Sequence, residues 1–390
     1  MEILFWIFLF IIFYAFLGYG IFLYALVKLK AFFVNKPRII NNNGYLPTVT
    51  LMIAAFNEQD FIEEKIKNCL ELEYEDNKLQ IMFVTDGSSD KTPEIIANHP
   101  EITLLHKNER AGKMAAIKRA IPYVKSEIIV FTDANTYLNK TAIKELVKHY
   151  NNPKVGAVAG EKRINMAEQA DASSAGEGFY WKYESKLKKW DYELYSNVAA
   201  AGELFSIRTS LYEDVESDTI IDDHMIAMRI AEKGYIIAYE PNAYAVENAS
   251  ENSAEELKRK IRISAGGIQS ILRLKKAANP FNNPVLTFQY ISHKVLRWAV
   301  TPTLMIVAFF MNIYLTKQYP DSSIYNILMY LQIAFYLLAA LGWLLEQRKV
   351  KLKIFFIPYY FVLMNYAALA GTVRYFKGKQ SAAWEKSRRK

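Results

Sequence analysis

Two stretches of the chain place an acidic residue directly after an apolar run of strand composition. Residues 128–132 lead into Asp133, and residues 79–85 lead into Asp86. In an open α/β sheet, ligands bind just outside the carboxyl ends of the strands. A carboxylate at that edge is a suitable ligand for a hard divalent cation. The sequence therefore predicts one site at neighbouring strand tips, with Asp133 holding a metal ion.

Basic residues at predicted helices offer binding groups for phosphate. Lys113 follows Gly112 at the start of a helix, where backbone N–H groups favour phosphate. Arg259 and Arg262 are one helical turn apart and share a face, so their guanidinium groups could clamp a diphosphate. A basic helix resting on anionic lipid is the alternative for these two arginines.

Two further polar pairs stand at the ends of apolar segments. Asn57 and Glu58 follow the first strand, where they either line a ligand pocket or cap the next helix. Asp222 and Asp223 begin a helix, and acidic residues there interact favourably with the helix dipole. The adjacent His224 is expected on the surface.

The elements that must position these residues alternate between strands and helices. Strands are predicted at 48–55, 79–85, 102–105, 128–133 and 155–160, with helices at 60–70, after 93, at 113–124 and at 140–150. This alternation predicts an α/β fold, a mainly parallel sheet with helices on both faces. The second half is less regular, with helices at 179–194, 221–231 and 255–276 and short strands near 205 and 235–239.

Long apolar segments flank this α/β region. Residues 1–27 contain one charged side chain and are long enough to cross a bilayer. Residues 281–376 are predicted to form an interfacial helix, at 281–298, and membrane segments at about 296–316, 324–345 and 354–376. We therefore expect a catalytic region at 48–275 between membrane segments, and a basic tail at 377–390.

The charge distribution predicts the orientation in the membrane. The formal charge is +8, and much of the excess lies beside the apolar segments, which favours a membrane surface over nucleic acid as the partner. Basic residues beside spans mark the cytoplasmic side. Lys28 and Lys30 thus place the region after the first span inside, whereas three later crossings would put the basic tail outside. One late segment is therefore suspected to be re-entrant or interfacial, and Pro358 makes 354–376 the candidate.

Five motifs together resemble membrane-bound family 2 glycosyltransferases, the group that includes cellulose, hyaluronan and poly-N-acetylglucosamine synthases. The resemblance covers about residues 48–275 and the arrangement of the spans. The motifs are Ala54-Ala55-Phe56-Asn57-Glu58, Asp86-Gly87-Ser88-Ser89-Asp90, Asp133-Ala134-Asn135, Asp222-Asp223 and Arg259-Lys260-Ile261-Arg262.

The resemblance implies a GT-A-type fold and a role for each matching residue. Asp223, with Asp222 beside it, corresponds to the catalytic base, and Asp133 and Asn135 to the ligands of Mg²⁺ or Mn²⁺, although the family usually has a second Asp where this chain has Asn135. Gly202 and Glu203 resemble the acceptor-side loop. The nucleotide-binding set comprises Asn57, Glu58, Asp86, Lys113, Asp133, Arg259 and Arg262.

The resemblance implies an inverting transfer of a hexose from a nucleotide diphosphate sugar, a UDP-sugar by preference, to a polysaccharide or a lipid. In the family's Gln-x-x-Arg-Trp pattern, Arg259 replaces Gln and Ile263 replaces Trp, which weakens the case for a long polymer. A transferase of single sugars to a polyprenyl phosphate or glycolipid is the alternative enzyme. A non-catalytic scaffold or transporter is the alternative of another class. The expected location is the bacterial inner membrane with the catalytic domain in the cytoplasm.

Overall fold

The computed structural model describes residues 1–33, 45–165, 172–248, 253–348 and 353–380. Most of the expected linker at 41–47 and the last ten residues of the basic tail lie outside the described residues.

Within these ranges, eight strands form one sheet in the order β3-β2-β1-β4-β7-β6-β8-β5. Their bounds are β1 Val49–Ala55, β2 Leu79–Asp86, β3 Thr103–Lys107, β4 Ile128–Asp133, β5 Thr136–Leu138, β6 Val155–Asn165, β7 Phe205–Arg208 and β8 Ile236–Asn248. The pairs β1–β2, β1–β4, β2–β3 and β6–β8 are parallel. Strand β7 runs antiparallel to β4 and β6, and β5 antiparallel to β8. The predicted mainly parallel sheet is confirmed, with β5 and β7 as its antiparallel members.

Helices cover both faces of the sheet, as the alternation predicts. Their bounds are α3 Ile62–Leu70, α4 Thr92–Ala97, α5 Lys113–Ala120, α6 Ala142–Val147, α7 Ala172–Leu194, α8 Asp222–Glu232 and α9 Ser253–Arg273. Side chains of β1 alternate between the two faces: Leu51 packs in the core with Ile62 of α3, and Met52 packs with Ile117 of α5. Strands buried on both faces require near-continuous apolar sequence, which explains the runs that end at Asp86 and Asp133.

The apolar segments form long helices. They are α1 Glu2–Phe13, a π-helical turn Tyr14–Gly18, α2 Tyr19–Phe33, α10 Pro284–Tyr290, a π-helix Ile291–Val300, α11 Thr301–Gln318, α12 Ser323–Gln347 and α13 Lys353–Phe376. In the part of the chain that is described, four stretches are long and apolar enough to cross a membrane: Glu2–Phe33, Pro284–Gln318, Ser323–Gln347 and Ile354–Phe376. The four predicted membrane segments fall within these stretches.

Specific contacts fix the membrane helices to the α/β region. Leu23 of α2 packs against Leu187 of α7, and α13 packs along α9, where Gly371 allows close approach to Ser264. At the other end of α1, Tyr325 of α12 donates a hydrogen bond of 2.9 Å to Glu2. The membrane helices are therefore packed directly on the helices that line the candidate site described below.

Candidate functional site

A cavity of about 780 Å³ lies at the carboxyl ends of the central strands. Its charged end is lined by residues from four separate parts of the sequence, among them Asp133, Gly202, Asp223 and Arg262. The fold thus brings most of the predicted site residues to one cavity, at the edge of the sheet where the strand-tip argument placed them.

The turn between β4 and β5 presents Asp133 and Asn135 to the cavity. Thr136 donates a 3.0 Å hydrogen bond from its hydroxyl to the carbonyl oxygen of Asp133. Below the turn, the buried Lys65 ammonium donates to the Thr132 hydroxyl at 3.2 Å and to the Thr136 carbonyl at 2.6 Å. The turn is therefore held from within the core, so the orientation of Asp133 does not depend on a bound ligand.

Lys113 links Asp133 to the acidic pair at the start of α8. Its Nζ lies 3.0 Å from Oδ1 of Asp133 and 3.5 Å from Oδ2 of Asp222. A Cβ added at Gly202 would lie 3.5 Å from Asp133 Oδ2, 3.6 Å from Asp223 Oδ2 and 3.6 Å from Lys113 Nζ. Gly202 therefore faces the point where these charged groups converge, and its missing side chain leaves space there.

The charges around Gly202 change the pKa values of Asp223 and Lys113. Burial raises the pKa of Asp223 to about 7, and the Asp222 carboxylate adds to the rise while Lys113 opposes it. Burial by itself would lower the pKa of Lys113, but the carboxylates of Asp133, Asp222 and Asp223 raise it well above its ordinary value. At neutral pH the site thus holds a fixed ammonium beside a carboxyl that can exchange a proton, which is the property of a general base.

Asp86 shapes the loop that precedes α5. Its Oδ2 accepts hydrogen bonds from the backbone N–H groups of Ala111 at 2.8 Å and Gly112 at 2.6 Å. With Arg110, whose guanidinium lies 3.8 Å from the centre of the Phe56 ring, Asp86 lines a smaller pocket that also contains Lys113 and Asp133. This small pocket joins aromatic, basic and acidic side chains next to the charged end of the large cavity; contact of Asp86 with a nucleotide stays a prediction.

Asn57 and Glu58 line neither pocket. Asn57 has a left-handed backbone, with φ at 54°, and its side chain accepts a 2.9 Å hydrogen bond from the Ser89 N–H. Glu58 is fully buried, and its own N–H donates to the Thr92 hydroxyl at 2.8 Å. Both residues tie the loop after β1 to the loop after β2, so in this structure they shape the pocket from behind; direct contact with a nucleotide stays a prediction.

Glu203, predicted to contact the acceptor, lines the cavity and belongs to a buried ion-pair cluster. Lys162 bridges its carboxylate to that of Glu247. Burial alone would raise the pKa of Glu203, but Lys162 holds it well below its usual range. Glu203 is therefore a fixed carboxylate, able to accept hydrogen bonds from a sugar but not to act as a proton shuttle.

The two arginines of α9 differ in their surroundings. Arg259 makes two hydrogen bonds to Glu256 on its own helix, at 3.0 and 3.1 Å. Arg262 donates to the Ile220 carbonyl at 3.3 Å, while its Nε is buried without a hydrogen-bond partner among the described residues. Both line the cavity. Arg262 therefore has the stronger claim to an anionic ligand, and a clamp using both arginines stays a prediction.

The expectation of a surface His224 is wrong. Its side chain is 3% exposed, and its ring lies 5.4 Å from that of Trp298. Burial, with a further effect of Lys294, lowers the pKa of His224 to about 3. The residue that follows Asp223 is therefore a neutral core residue, held by a π-helix about seventy positions later in the chain.

Several cavity residues carry no sequence signal that identifies them. They come from α7, from β8 and from the π-helix: Trp181, Glu184, Glu247, Lys294, Arg297 and Trp298. The basic residues at 293–297 fit the predicted interfacial helix, and nothing in the local sequence shows that their side chains turn towards the site.

The residues present are compatible with a divalent metal ion that is bound mainly by the phosphates of a substrate. Within the described residues, no group of three or more His, Cys, Asp or Glu side chains forms a protein cage. Mg²⁺ is often bound by one or two carboxylates plus the phosphates of a substrate. Asp133, with the amide oxygen of Asn135 nearby, meets that requirement.

Comparison with known proteins was made against this geometry. Residues 50–215 match the family model described as "Glycosyl transferase family 2". The chain is 28% identical over 264 residues to a poly-beta-1,6-N-acetyl-D-glucosamine synthase of Staphylococcus aureus (strain MSSA476), covering 65% of this chain and 62% of that protein. It is 30% identical over 170 residues to a beta-monoglucosyldiacylglycerol synthase of Trichormus variabilis, covering 41% of this chain and 35% of that protein. The aligned region thus spans less than two thirds of the length of these curated relatives.

Among solved structures, the chain is similar to a mannosyltransferase of Pyrobaculum calidifontis in complex with GDP-Man and Mn²⁺. The TM-score is 0.72 at 23% sequence identity, and the match covers 97% of this chain and 100% of that chain. At this identity the likeness establishes the fold, and the expected GT-A-type fold with added membrane helices is confirmed.

Proposed function

We propose that this chain, whose residues 50–215 belong to glycosyl transferase family 2, transfers a hexose from a nucleotide diphosphate sugar to a hydroxyl group at a membrane. The proposal rests on one convergence: Asp133, Lys113 and Asp223 meet around Gly202 in a single cavity at the strand tips. In this arrangement, Lys113 and Asp133, which are proposed to bind the diphosphate and its metal ion, face Asp223, the proposed general base, across the same space.

Asp223 acts as the general base in this proposal. Its carboxylate takes the proton of the acceptor hydroxyl while the oxygen attacks the anomeric carbon of the donor. The bond from that carbon to the nucleoside diphosphate breaks, and the nucleotide leaves with the bonding electron pair. Attack opposite to the leaving group inverts the anomeric centre. Because Asp223 titrates near neutral pH, it can both accept this proton and release it to water.

Other residues bind the donor. Phe56, Arg110 and Asp86, which line the smaller pocket, contact the base or ribose in this proposal. Lys113 and Arg262 supply positive charge for the diphosphate. A divalent metal, Mg²⁺ or Mn²⁺, would be held by Asp133 and Asn135 and would supply charge neutralisation for the leaving diphosphate. Whether the base is uracil or guanine stays open; a UDP-sugar is the first choice.

The acceptor is a polysaccharide or a lipid in this proposal. One curated relative is named for synthesis of poly-N-acetylglucosamine and another for glucosylation of diacylglycerol. Glu203 and the small residues before it line the acceptor side of the cavity and offer hydrogen bonds to a sugar. A scaffold without catalysis is disfavoured because such a role requires no titrating carboxyl beside a fixed ammonium.

The direct test measures nucleotide release by purified protein in nanodiscs, with a panel of UDP- and GDP-sugars and Mg²⁺ or Mn²⁺. We expect release with one sugar in preference, and a loss of at least about a hundredfold in Asp133→Ala, because charge neutralisation of this kind is worth several kcal/mol. Asp214→Ala serves as the matched control, since Asp214 lies on the surface in an ion pair with Lys118. Release that is equal in both variants would refute the role of Asp133.

We further propose that the catalytic domain faces the cytoplasm of a bacterial cell. Lys28 and Lys30 lie in the last turns of α2, on the side of the α/β domain, and Lys30 donates hydrogen bonds to carbonyls at the end of α7. Basic residues beside spans favour the cytoplasmic side. Nucleotide sugars would then be supplied from the cytoplasm.

A further inference from the structure

The large cavity does not end at the charged groups. Its far part is lined by side chains of the membrane helices: Ile12, Phe13, Phe16 and Leu17 from α1 and its π-turn, and Ile357, Tyr360, Phe361, Met364 and Asn365 from α13. On the α1 side this part of the lining is wholly apolar. A growing polysaccharide is covered with hydroxyl groups and needs hydrogen-bonding side chains along its path, which this part of the lining lacks on one side.

The apolar part of the cavity opens towards the bilayer. Phe13, Leu17 and Ile357 line the cavity and are 51%, 57% and 47% exposed, so the cavity is open where they lie. The same side chains can therefore contact a molecule in the cavity and the lipid around the protein. A molecule could enter sideways from the membrane, between α1 and α13.

A continuous row of contacts joins this opening to Asp223. The His224 ring, next in sequence to Asp223, lies 5.4 Å from that of Trp298, and the adjacent Arg297 lies 6.0 Å from the Phe16 ring. The Phe16 ring in turn lies 4.7 Å from that of Phe361. The lining thus changes from acidic at Asp223 to basic at Arg297 and to apolar at Phe16 and Phe361.

Two basic side chains lie where the apolar part of the cavity meets its charged end. Arg297 and Lys294 both line the cavity, and both pair with Glu184, at 3.0 and 2.6 Å. Basic side chains at the border of apolar surface are positioned for the polar linkages of a lipid head group. Glu184 keeps the two cations at this border.

We propose that the acceptor is a membrane lipid whose hydrocarbon chain lies between α1 and α13 and whose terminal hydroxyl reaches Asp223. This inference rests on the proposed sugar transfer and specifies its substrate class. A hydroxyl fits the catalytic end better than an ionised phosphate, because the acceptor must approach Asp222, Asp223 and Glu203, which would repel a dianion.

The test uses proteoliposomes of phosphatidylethanolamine and phosphatidylglycerol that contain either diacylglycerol or undecaprenyl phosphate, with radiolabelled donor sugar. We expect label in the organic phase with diacylglycerol as a single-sugar product. The opening is then narrowed by Leu17→Trp and, separately, Ile357→Trp. Each is expected to raise the KM for the lipid at least tenfold. Ile21→Trp and Leu337→Trp are matched controls, since these positions are 65% and 60% exposed and do not line the cavity; they should keep the wild-type KM.

The outcomes separate this inference from the proposed function. Label in an aqueous, alcohol-insoluble product would show a polysaccharide acceptor, and label transferred to undecaprenyl phosphate alone would show a phosphate acceptor; either overturns the inference and leaves sugar transfer intact. The same holds if the two tryptophan variants match their controls. Absence of label from every product, together with absence of nucleotide release, would overturn the proposed function itself.

Discussion

At the scale of single residues, Asp223 is favoured as the base because its Oδ2 lies 3.6 Å from the Cβ position of Gly202 and burial raises its pKa to about 7. We predict that Asp223→Asn lowers kcat by roughly 10²- to 10⁴-fold, the usual contribution of a general base. Binding of the nucleotide, measured by calorimetry, should change little because Asp223 belongs to the acceptor side. Asp214→Asn is the surface control. Transfer that survives in Asp223→Asn would assign the base elsewhere.

The raised pKa of Asp223 also predicts how the protein responds to pH. Activity should rise with pH up to about 7, since only the ionised carboxyl accepts a proton. Stability should change the other way: a carboxyl whose pKa is higher folded than unfolded stabilises the fold below the unfolded value and loses this contribution as pH rises through about 7. Asp222 and Glu203 act on Asp223 in the same direction and Lys113 in the opposite one. Thermal unfolding of the wild type and Asp223→Asn between pH 4 and 8 measures the difference.

Sequence reasoning located the residues that directly follow strands or begin helices. Asp133, Asp86 and Lys113 occupy such positions, and the parallel sheet brings them together by its topology alone. It could not locate Lys162, Arg297 or Trp298, because these reach the site through contacts between distant parts of the chain. Their types and local spacing are those of ordinary strand and interfacial-helix residues.

Position in the sequence also does not distinguish a residue that lines a pocket from one that only holds the neighbouring loops together. Asn57 and Glu58 follow β1 as Asp133 follows β4, yet they bond to the loop after β2 and line neither pocket. Asn57 has a left-handed backbone, with φ at 54°. Such a turn follows from tertiary contacts with Ser88 and Ser89, which no local pattern reveals.

At the scale of elements, the packing of α13 on α9 holds the arginine-bearing helix in place. A Cβ at Gly371 would lie 2.6 Å from the Ser264 Cβ and 2.7 Å from the Ile261 carbonyl, too close for any larger residue. We predict that Gly371→Leu destabilises the protein by about 1–3 kcal/mol, as overpacking usually does, and weakens nucleotide binding through Arg262. Val373→Leu, at a position 51% exposed, is the control. The melting temperature and the Kd for the nucleotide measure the two effects. If neither value changes in Gly371→Leu, α13 does not hold α9 in position.

At the scale of the whole molecule, the contacts of the helix ends trace the chain through the membrane. Glu2 and Tyr325 meet at the end of the helices that is far from the α/β domain. Helix α11 runs towards this end and α12 returns, since Glu346 accepts a hydrogen bond from Ser253 of α9. Lys379, just beyond α13, lines the catalytic cavity. Both ends of α13 therefore lie beside the catalytic domain, although its length and composition would allow it to cross.

This path predicts three crossings, by α1–α2, α10–α11 and α12, with α13 lying along the surface of the membrane on the catalytic side. The amino terminus would then face the opposite side, and Lys377 and Lys379 would lie beside the catalytic domain, as the preference of basic residues for the cytoplasmic side requires. Reporters fused before Met1 and after Lys390 measure this directly: an enzyme active only outside the cytoplasm should work at the first position and a cytoplasmic one at the second. A carboxyl-terminal reporter on the outer side would show that α13 crosses, and the opening between α1 and α13 would then extend deeper into the bilayer.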